Sequence, residues 1–175
     1  MAQQKEAEQK RKEREKLRLQ KEKQELEEKN RILSVISTRD ELTQLLNRRG
    51  FMEKAIDLIR ENEGEKAYLV FADVDHLKEI NDCFGHAAGD FAISTASDYL
   101  RKCSPEGAII GRIGGDEYVS MFTASSLKAE KSFVDLVKEH AAEFNKTCTQ
   151  PFYVEMSVGV HPFVCDPKAD LSDIF

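Results

Sequence analysis

The chain lacks the features that would place it in several specialised classes of protein. Its four cysteines are widely spaced and form no CxxC pair, so neither a zinc site nor a disulfide framework is indicated, and reduced thiols are expected. No apolar run approaches the roughly 20 residues that cross a bilayer, and no signal peptide opens the chain. We therefore expect a cytoplasmic protein, or the cytoplasmic part of a membrane-anchored sensor.

Positive charge is scarce beyond the N-terminal stretch. The chain of 175 residues has a net charge of −6. Residues 1–31 hold 11 basic and 8 acidic side chains, which leaves 15 basic and 24 acidic ones in the rest. An acidic domain is a poor general binder of nucleic acid, because contacts to phosphates need Lys and Arg. Nucleic acid is therefore not expected as a partner.

Residues 2–31 contain no glycine or proline and consist almost entirely of Glu, Lys, Arg and Gln, which predicts a helical linker over residues 1–37. Leu19, Leu26 and Leu33 recur every seven residues, the spacing of a coiled-coil seam. The alternate seam positions, Lys23 and Asn30, are polar. A single solvated helix is therefore the alternative to a dimerising coiled coil.

Residues 38–175 read as one α/β (α+β) domain, a mostly antiparallel sheet covered by helices. A near-continuous apolar run predicts a central strand buried on both faces, and Gly114-Gly115 joins two strands in a hairpin. The expected elements are a short helix and turn at 40–49, a helix at about 48–63, the central strand at 66–72, a turn at 85–90, a helix at 90–102, strands at 108–113 and 117–122, a helix at 128–146 and a strand at 152–160.

Carboxylates follow the central strand and the hairpin glycines. Asp73 and Asp75 face the same side of an extended backbone, and Asp116 and Glu117 stand at the tip of the hairpin. Two such clusters together predict a site for a divalent cation and a phosphorylated ligand. Alternatively, Asp75 caps the next turn and Asp73 is merely solvated.

Two further polar residues can recognise a purine base. Asp90 can accept the N1–H and 2-amino hydrogens of guanine, a pair of donors that adenine lacks, and Asn81 can read the remaining base edge. Asp90 is equally an ordinary helix N-cap. Arg112 either neutralises phosphate or pairs with an acid, and Lys78, at a helix start, is a candidate phosphate contact.

Five ordered blocks of residues carry a resemblance to a known family. The blocks are Asp40-Glu41-Leu42-Thr43 with Asn47-Arg48-Arg49, Phe71 to Asp82, Phe84 to Asp90, Arg112 to Tyr118, and Met156 to Val160. Together they resemble the GGDEF family of diguanylate cyclases, over residues from about 38 to the end. The resemblance implies a palm-like nucleotidyl cyclase fold and condensation of two GTP into cyclic di-GMP in bacterial signalling.

The resemblance also implies roles for residues. Asp73, the Val74 carbonyl and Glu117 would hold Mg²⁺ or Mn²⁺, and Asp116 would activate the ribose 3′-OH or help to hold a second ion. Substrate contacts would come from Asn81, Asp90, His76, Leu77, Lys78, Gly115 and Arg112. Because each domain holds one GTP, catalysis would need a homodimer, which the N-terminal helix would align under an upstream sensor or receiver domain.

The sequence departs from the family pattern at several places. Leu77 and Tyr118 replace phenylalanines, both as packing changes. The Arg-x-x-Asp motif of product inhibition falls on Pro105-Glu106-Gly107-Ala108, so no feedback binding is expected there. The sequence also stops before the family's final helix, which predicts a weak or inactive fragment. A GTP-binding regulatory module without turnover is the alternative function, and a coiled-coil dimerisation device is a third.

Overall fold

The computed structural model describes residues 13–27, 29, 38–126 and 132–168. The chain divides into two units, Met1–Ser37 and Thr38–Phe175. In the first unit, helix α1 covers residues 13–27 and 29, and Leu19 and Leu26 are 60% and 59% exposed on it. Leu33 lies outside the described residues. None of the helices in the described ranges is long and apolar enough to cross a membrane.

In the second unit, the described residues form four helices and four strands besides a short 3-10 turn. In chain order they are α2 (Arg48–Glu61), β1 (Lys66–Val74), α3 (Leu77–Phe84), α4 (His86–Cys103), β2 (Ile109–Arg112), β3 (Glu117–Thr123), α5 (Phe133–Thr147) and β4 (Met156–Val164). The strands form one sheet in the order β2-β3-β1-β4, and every neighbouring pair is antiparallel. The expected α/β sandwich with a mostly antiparallel sheet is confirmed, and all strand pairs in the described residues are antiparallel.

The sheet has a hydrophobic core on each face, because alternate residues of a strand point to opposite sides. On one face, Phe51 and Ile59 of α2 pack with Leu69 and Met121 of the sheet. On the other face, residues of α3, α4 and α5 pack against side chains that include Val70, Val74, Tyr118 and Phe122. Burial on both faces explains why β1 is a nearly continuous apolar run.

Strand β4 is displaced from its expected position by four residues at each end. The segment before it is held outside the ladder, because the Asn145 amide bonds both the N–H and the carbonyl of Val154 and Phe152 packs on Phe84 at 5.3 Å between ring centroids. The strand then continues through Pro162 to Val164. A proline is tolerated there because β4 is an edge strand of the described sheet.

The break between α3 and α4 also differs from the expectation. Gly85 separates the two helices with φ 86°, a conformation that favours glycine. Helix α4 therefore begins at His86, and Asp90 lies inside it, so the prediction that Asp90 opens the helix is wrong. Of the short helix and turn expected at 40–49, the turn is present at 41–43, no separate helix forms, and residues 48 and 49 already belong to α2. Of the helix expected at 128–146, residues 128–131 lie outside the described ranges, and Ser132 caps α5.

Candidate nucleotide and metal site

The pairing of β1 with β3 brings the two acidic clusters together. Asp73 and Glu117 are direct partners across the antiparallel ladder, so their Cβ atoms lie on one face, roughly 5 Å apart. The Val74 N–H donates to the Asp116 carbonyl at 3.1 Å, which fixes the hairpin tip beside the end of β1. Residues about forty positions apart in sequence thus share one end of the sheet.

Gly114, the first glycine of the hairpin, makes room for a neighbouring side chain and does not adopt a backbone conformation reserved for glycine. The expected hairpin forms around Gly114-Gly115, but only Gly64, Gly85 and Gly107 among the described glycines have positive φ, so this hairpin does not depend on a left-handed backbone. A Cβ on Gly114 would lie 2.2 Å from Oε2 of Glu117. The Glu117 carboxylate therefore rests against Gly114, where any larger residue would displace it.

Asp73 lies in an environment that disfavours its negative charge. Partial burial and the negative charges of Asp116, Asp75 and Glu117 together raise the pKa of the Asp73 carboxyl above its ordinary value. Asp75 does not cap α3, since its carboxylate accepts a hydrogen bond from the Ser157 hydroxyl of β4 at 2.6 Å. The cluster has the charge that a bound cation would relieve.

The donor set fits Mg²⁺ or Mn²⁺ in a substrate complex. Within the described ranges, no three His, Cys, Asp or Glu side chains are grouped closely enough to hold a metal by themselves. Mg²⁺ does not require such a cage, since one or two carboxylates with substrate phosphates and water complete its coordination. Asp73, Glu117 and the Val74 carbonyl offer the hard oxygen atoms that this ion prefers.

Arg112 is paired with an acid, one of the two roles that the sequence left open for it. Its Nη1 lies 3.1 Å from both carboxylate oxygens of Asp40, and its Nε and Nη2 donate to the Gly115 carbonyl at 3.1 and 2.6 Å. A phosphate contact would have to share or break these bonds. Arg112 therefore ties the hairpin to the turn at 40–43.

Asp40 was noted in the sequence only as part of a motif, with no role of its own. Burial alone would raise the pKa of its carboxyl, but hydrogen bonds from Thr43 and Arg112 and the charge of Arg112 lower that pKa below the ordinary value. The Thr43 N–H and hydroxyl donate to the same carboxylate at 2.8 and 2.6 Å. Because this contact spans 72 positions, no local pattern could have shown it.

The expected phosphate-binding backbone begins α3. His76 adopts the left-handed conformation at φ 58° and lies just before the helix, with no side chain capping its N-terminus. Leu77 is buried, whereas Lys78 is exposed in the first turn. N–H groups at a helix start can bind anions, so the start of α3 stays a candidate phosphate contact.

The two candidate base-reading residues lie on neighbouring helices. Asn81 is on α3, and its amide lies against Gly89 of α4. Asp90 follows Gly89 directly and is exposed. The structure therefore brings Asn81 close to the segment that carries Asp90, and it removes the N-cap as an explanation for Asp90.

A cavity of about 590 Å³ opens beside the acidic cluster. Asp73, Glu117 and Ser157 line it together with apolar residues such as Phe71. The cavity also contacts Arg48, a residue to which the sequence assigned no role. Its position at the start of α2 depends on how α2 packs on the sheet, so local sequence gave no signal for it.

The chain belongs to the GGDEF family. A model of the family described as "Diguanylate cyclase, GGDEF domain" matches residues 37–175. The chain is 33% identical over 140 residues to the probable diguanylate cyclase DgcC of Escherichia coli. The matched region covers 78% of this chain and 38% of DgcC. It is 32% identical over 131 residues to the diguanylate cyclase DgcP of Pseudomonas aeruginosa. That matched region covers 71% of this chain and 19% of DgcP. The chain thus spans less than half of either relative.

Solved structures show the same fold. The coiled coil and GGDEF domain of DgcB from Caulobacter crescentus, in complex with c-di-GMP, match with a TM-score of 0.72 at 23% identity, over 87% of this chain and 82% of that one. The diguanylate cyclase SiaD from Pseudomonas aeruginosa, in complex with its activator SiaC, matches with a TM-score of 0.66 at 22% identity, over 99% and 67%. The palm-like cyclase fold expected from the sequence is confirmed.

Proposed function

We propose that this chain is the catalytic part of a diguanylate cyclase, which condenses two GTP molecules into cyclic di-GMP with release of two pyrophosphates. The observation that carries this proposal is the direct pairing of Asp73 with Glu117 across β1 and β3. That pairing brings two carboxylates together near the start of α3, where backbone N–H groups receive phosphate in this proposal. Membership of the family supports the same reaction.

Each acidic residue has its own part in the proposed site. Asp73, the Val74 carbonyl and Glu117 hold Mg²⁺ or Mn²⁺, and Asp116 takes the proton of the attacking ribose 3′-OH or helps to hold a second ion. The bound metal ion supplies Lewis-acid stabilisation of the charge that develops at the α-phosphate. The backbone of residues 76–78 orients the phosphates, with Gly115 and Lys78 as neighbouring contacts.

Asn81 and Asp90 select guanine in this proposal. The Asp90 carboxylate accepts from N1–H and the 2-amino group, and adenine would leave that carboxylate without donors. Arg112 acts indirectly, by holding the Gly115 carbonyl and hence the hairpin in place, which replaces the direct substrate contact first expected of it.

The reaction requires two copies of the chain, because each copy offers one such site and two GTP molecules must meet. We assign the pairing to α1, where Leu19 and Leu26 are exposed at heptad spacing. Replacing both leucines by Glu should abolish dimers in analytical ultracentrifugation and turnover with them. Dimers of unchanged affinity would exclude α1 as the pairing element.

Product inhibition through an Arg-x-x-Asp motif is not part of this proposal. The corresponding positions are Pro105 and Ala108, which close a turn through an N–H to carbonyl bond of 3.1 Å. Neither side chain can bind a phosphate or a guanine edge. Cyclic di-GMP added during turnover should therefore leave the initial rate unchanged at concentrations that do not compete with GTP.

We place the reaction in the cytoplasm, in agreement with four free cysteines, and under the control of a sensor or receiver domain. The deciding experiment incubates the full-length dimer with GTP and Mg²⁺ and separates the products by chromatography. Cyclic di-GMP and pyrophosphate in a 1:2 ratio are expected. GTP binding without pyrophosphate release would instead identify a regulatory GTP-binding module.

A further inference from the structure

Gly89 lies inside α4 at a point where a side chain would collide with Asn81. A Cβ on Gly89 would stand 2.1 Å from Oδ1 of Asn81, 2.8 Å from its Cγ and 3.0 Å from its Nδ2. Real Cβ atoms do not approach other atoms so closely. The Asn81 amide therefore occupies the space that any residue other than glycine would fill.

Glycine at this position needs a reason, because it is a poor residue for a helix interior. Gly89 is the fourth residue of an 18-residue helix, and alanine there would favour the helix by up to about 1 kcal/mol. Gly89 is not among the residues with positive φ. Backbone conformation therefore does not require glycine at position 89, whereas the close contact with Asn81 does.

The contact with Gly89 sets the position of the Asn81 amide. No hydrogen bond joins this amide to another side chain or backbone group in the described part of the chain, so its donor and acceptor remain available to a ligand. Asp90 is the next residue after Gly89. The contact between Gly89 and Asn81 therefore fixes where the two proposed base-reading residues lie relative to each other.

We propose that Gly89 is a specificity-determining position: its lack of a side chain seats the Asn81 amide for the guanine base. The inference rests on the proposed function, since it assigns Gly89 to the same nucleotide site. Gly89 itself touches no ligand and is a positioning residue.

A substitution at Gly89 should separate stability from recognition. The atoms in the way are the end of a flexible side chain, which can rotate aside at little cost to the fold. The displaced group is nevertheless the one that reads the base. Gly89→Ala is therefore expected to keep or raise the melting temperature while it weakens guanine binding.

The test is a double-mutant cycle in the full-length protein with Gly89→Ala, Asn81→Ala and both changes together. Calorimetry with Mg²⁺ and 3′-deoxy-GTP, which lacks the attacking hydroxyl, measures binding without turnover. Each single change should weaken binding by about 3- to 10-fold, the worth of a neutral hydrogen bond. The double variant should bind no more weakly than Asn81→Ala, and binding of 3′-deoxy-ATP should stay unchanged.

Ala87→Gly is the matched control, because Ala87 is exposed in the same turn of α4. It should lower the melting temperature and leave 3′-deoxy-GTP binding intact. If Gly89→Ala binds 3′-deoxy-GTP as the wild type does, or if its effect adds fully to that of Asn81→Ala, the inference is overturned. Failure of the wild type to bind the guanine nucleotide would remove the proposed function and, with it, this role of Gly89.

Discussion

The acidic half of the proposed site lies on two paired strands, whereas the base-reading half lies on two helices separated by Gly85. Asp73 and Glu117 are placed by the ladder between β1 and β3. Asn81 is placed by a close contact with Gly89. Backbone hydrogen bonds place the first half and packing space places the second, so the two halves should respond differently to substitution.

The largest effect is expected in the acidic half. Glu117→Ala removes an oxygen atom proposed to hold the metal, and Asp116→Ala removes the proposed proton acceptor, so each should lower kcat by about 10²- to 10⁴-fold. Both side chains lie at the hairpin tip and outside the core, so the fold should persist. Product analysis and circular dichroism measure the two outcomes.

Glu106→Ala is the matched control for these changes, since Glu106 is an exposed acid in the turn before β2. It should keep both the rate and the fold. A Glu117→Ala protein that synthesises cyclic di-GMP at the wild-type rate would contradict the assignment of this half.

The next effect concerns base selection by the helical half. Asp90→Ser removes a charged acceptor from the proposed guanine contact, and the ratio of GTP to ATP binding should fall by about 10- to 100-fold. Calorimetry with the two 3′-deoxynucleotides measures that ratio. Asp98→Ser makes the same change at an exposed position of α4, and it should preserve the ratio. Equal discrimination by wild type and Asp90→Ser would show that guanine is read elsewhere.

A smaller effect is expected where the turn at 40–43 supports the hairpin. Asp40 and Arg112 form a partly buried pair, with side chains 22% and 14% exposed. Asp40→Ala should lower the free energy of unfolding by about 2 kcal/mol, because it leaves the Arg112 charge without its partner. Asp57→Ala breaks an exposed pair with Lys54 and should cost less than about 0.5 kcal/mol. Urea unfolding measures the free energy of unfolding of both variants and of the wild type.

The same pair makes a prediction about pH. The folded-state pKa of Asp40 is lowered, so its ionised form stabilises the fold above the unfolded pKa of about 3.9. This contribution is lost as the pH falls from that value through the folded pKa. The difference in stability between wild type and Asp40→Asn should therefore shrink in acid. A difference that stays constant from pH 7 to pH 2 would argue against the pair.

The smallest expected effect is a gain in stability, on substitution of Asp73, in contrast to the loss expected for Asp40. The pKa of Asp73 is raised in the fold, so stability is lost as the pH rises from about 3.9 through that raised value. Without metal at pH 7, Asp73→Asn should be more stable than the wild type by about 0.5 kcal/mol, because a like-charge repulsion disappears. Mg²⁺ should stabilise only the wild type. Lower stability of the variant without metal would contradict this account of the cluster.

Much of the fold could be predicted from local patterns. The apolar run of β1, the hairpin around the two glycines and the helical spacing of α2 each follow from periodicity and turn chemistry. The displaced β4 could not be predicted, because Asn145 and an aromatic contact hold residues 152–154 out of the ladder. Those contacts come from other elements of the chain.

The candidate site shows the same division. Asp73, Asp116 and Glu117 were expected together, and the ladder places them together. Asp90 was also proposed as an N-cap, and only the break at Gly85 showed that it lies within the helix. Arg112 had two open roles until its contact with Asp40 was seen. The role of Arg112 depended on a partner 72 positions away, whereas that of Asp90 depended on where Gly85 interrupts the helices nearby.

By itself, the sequence determined the chemical groups of the site, their order and the family to which the chain belongs, because residue types and their spacing carry that information. Only the tertiary structure decided that Gly114 makes room for Glu117, that Gly89 makes room for Asn81 and that Arg112 ties the hairpin to Asp40. Glu117 meets Gly114 only in the folded hairpin, Asn81 meets Gly89 only where α3 and α4 pack together, and Arg112 reaches Asp40 across 72 positions of sequence. Close packing determines which atoms share the remaining space.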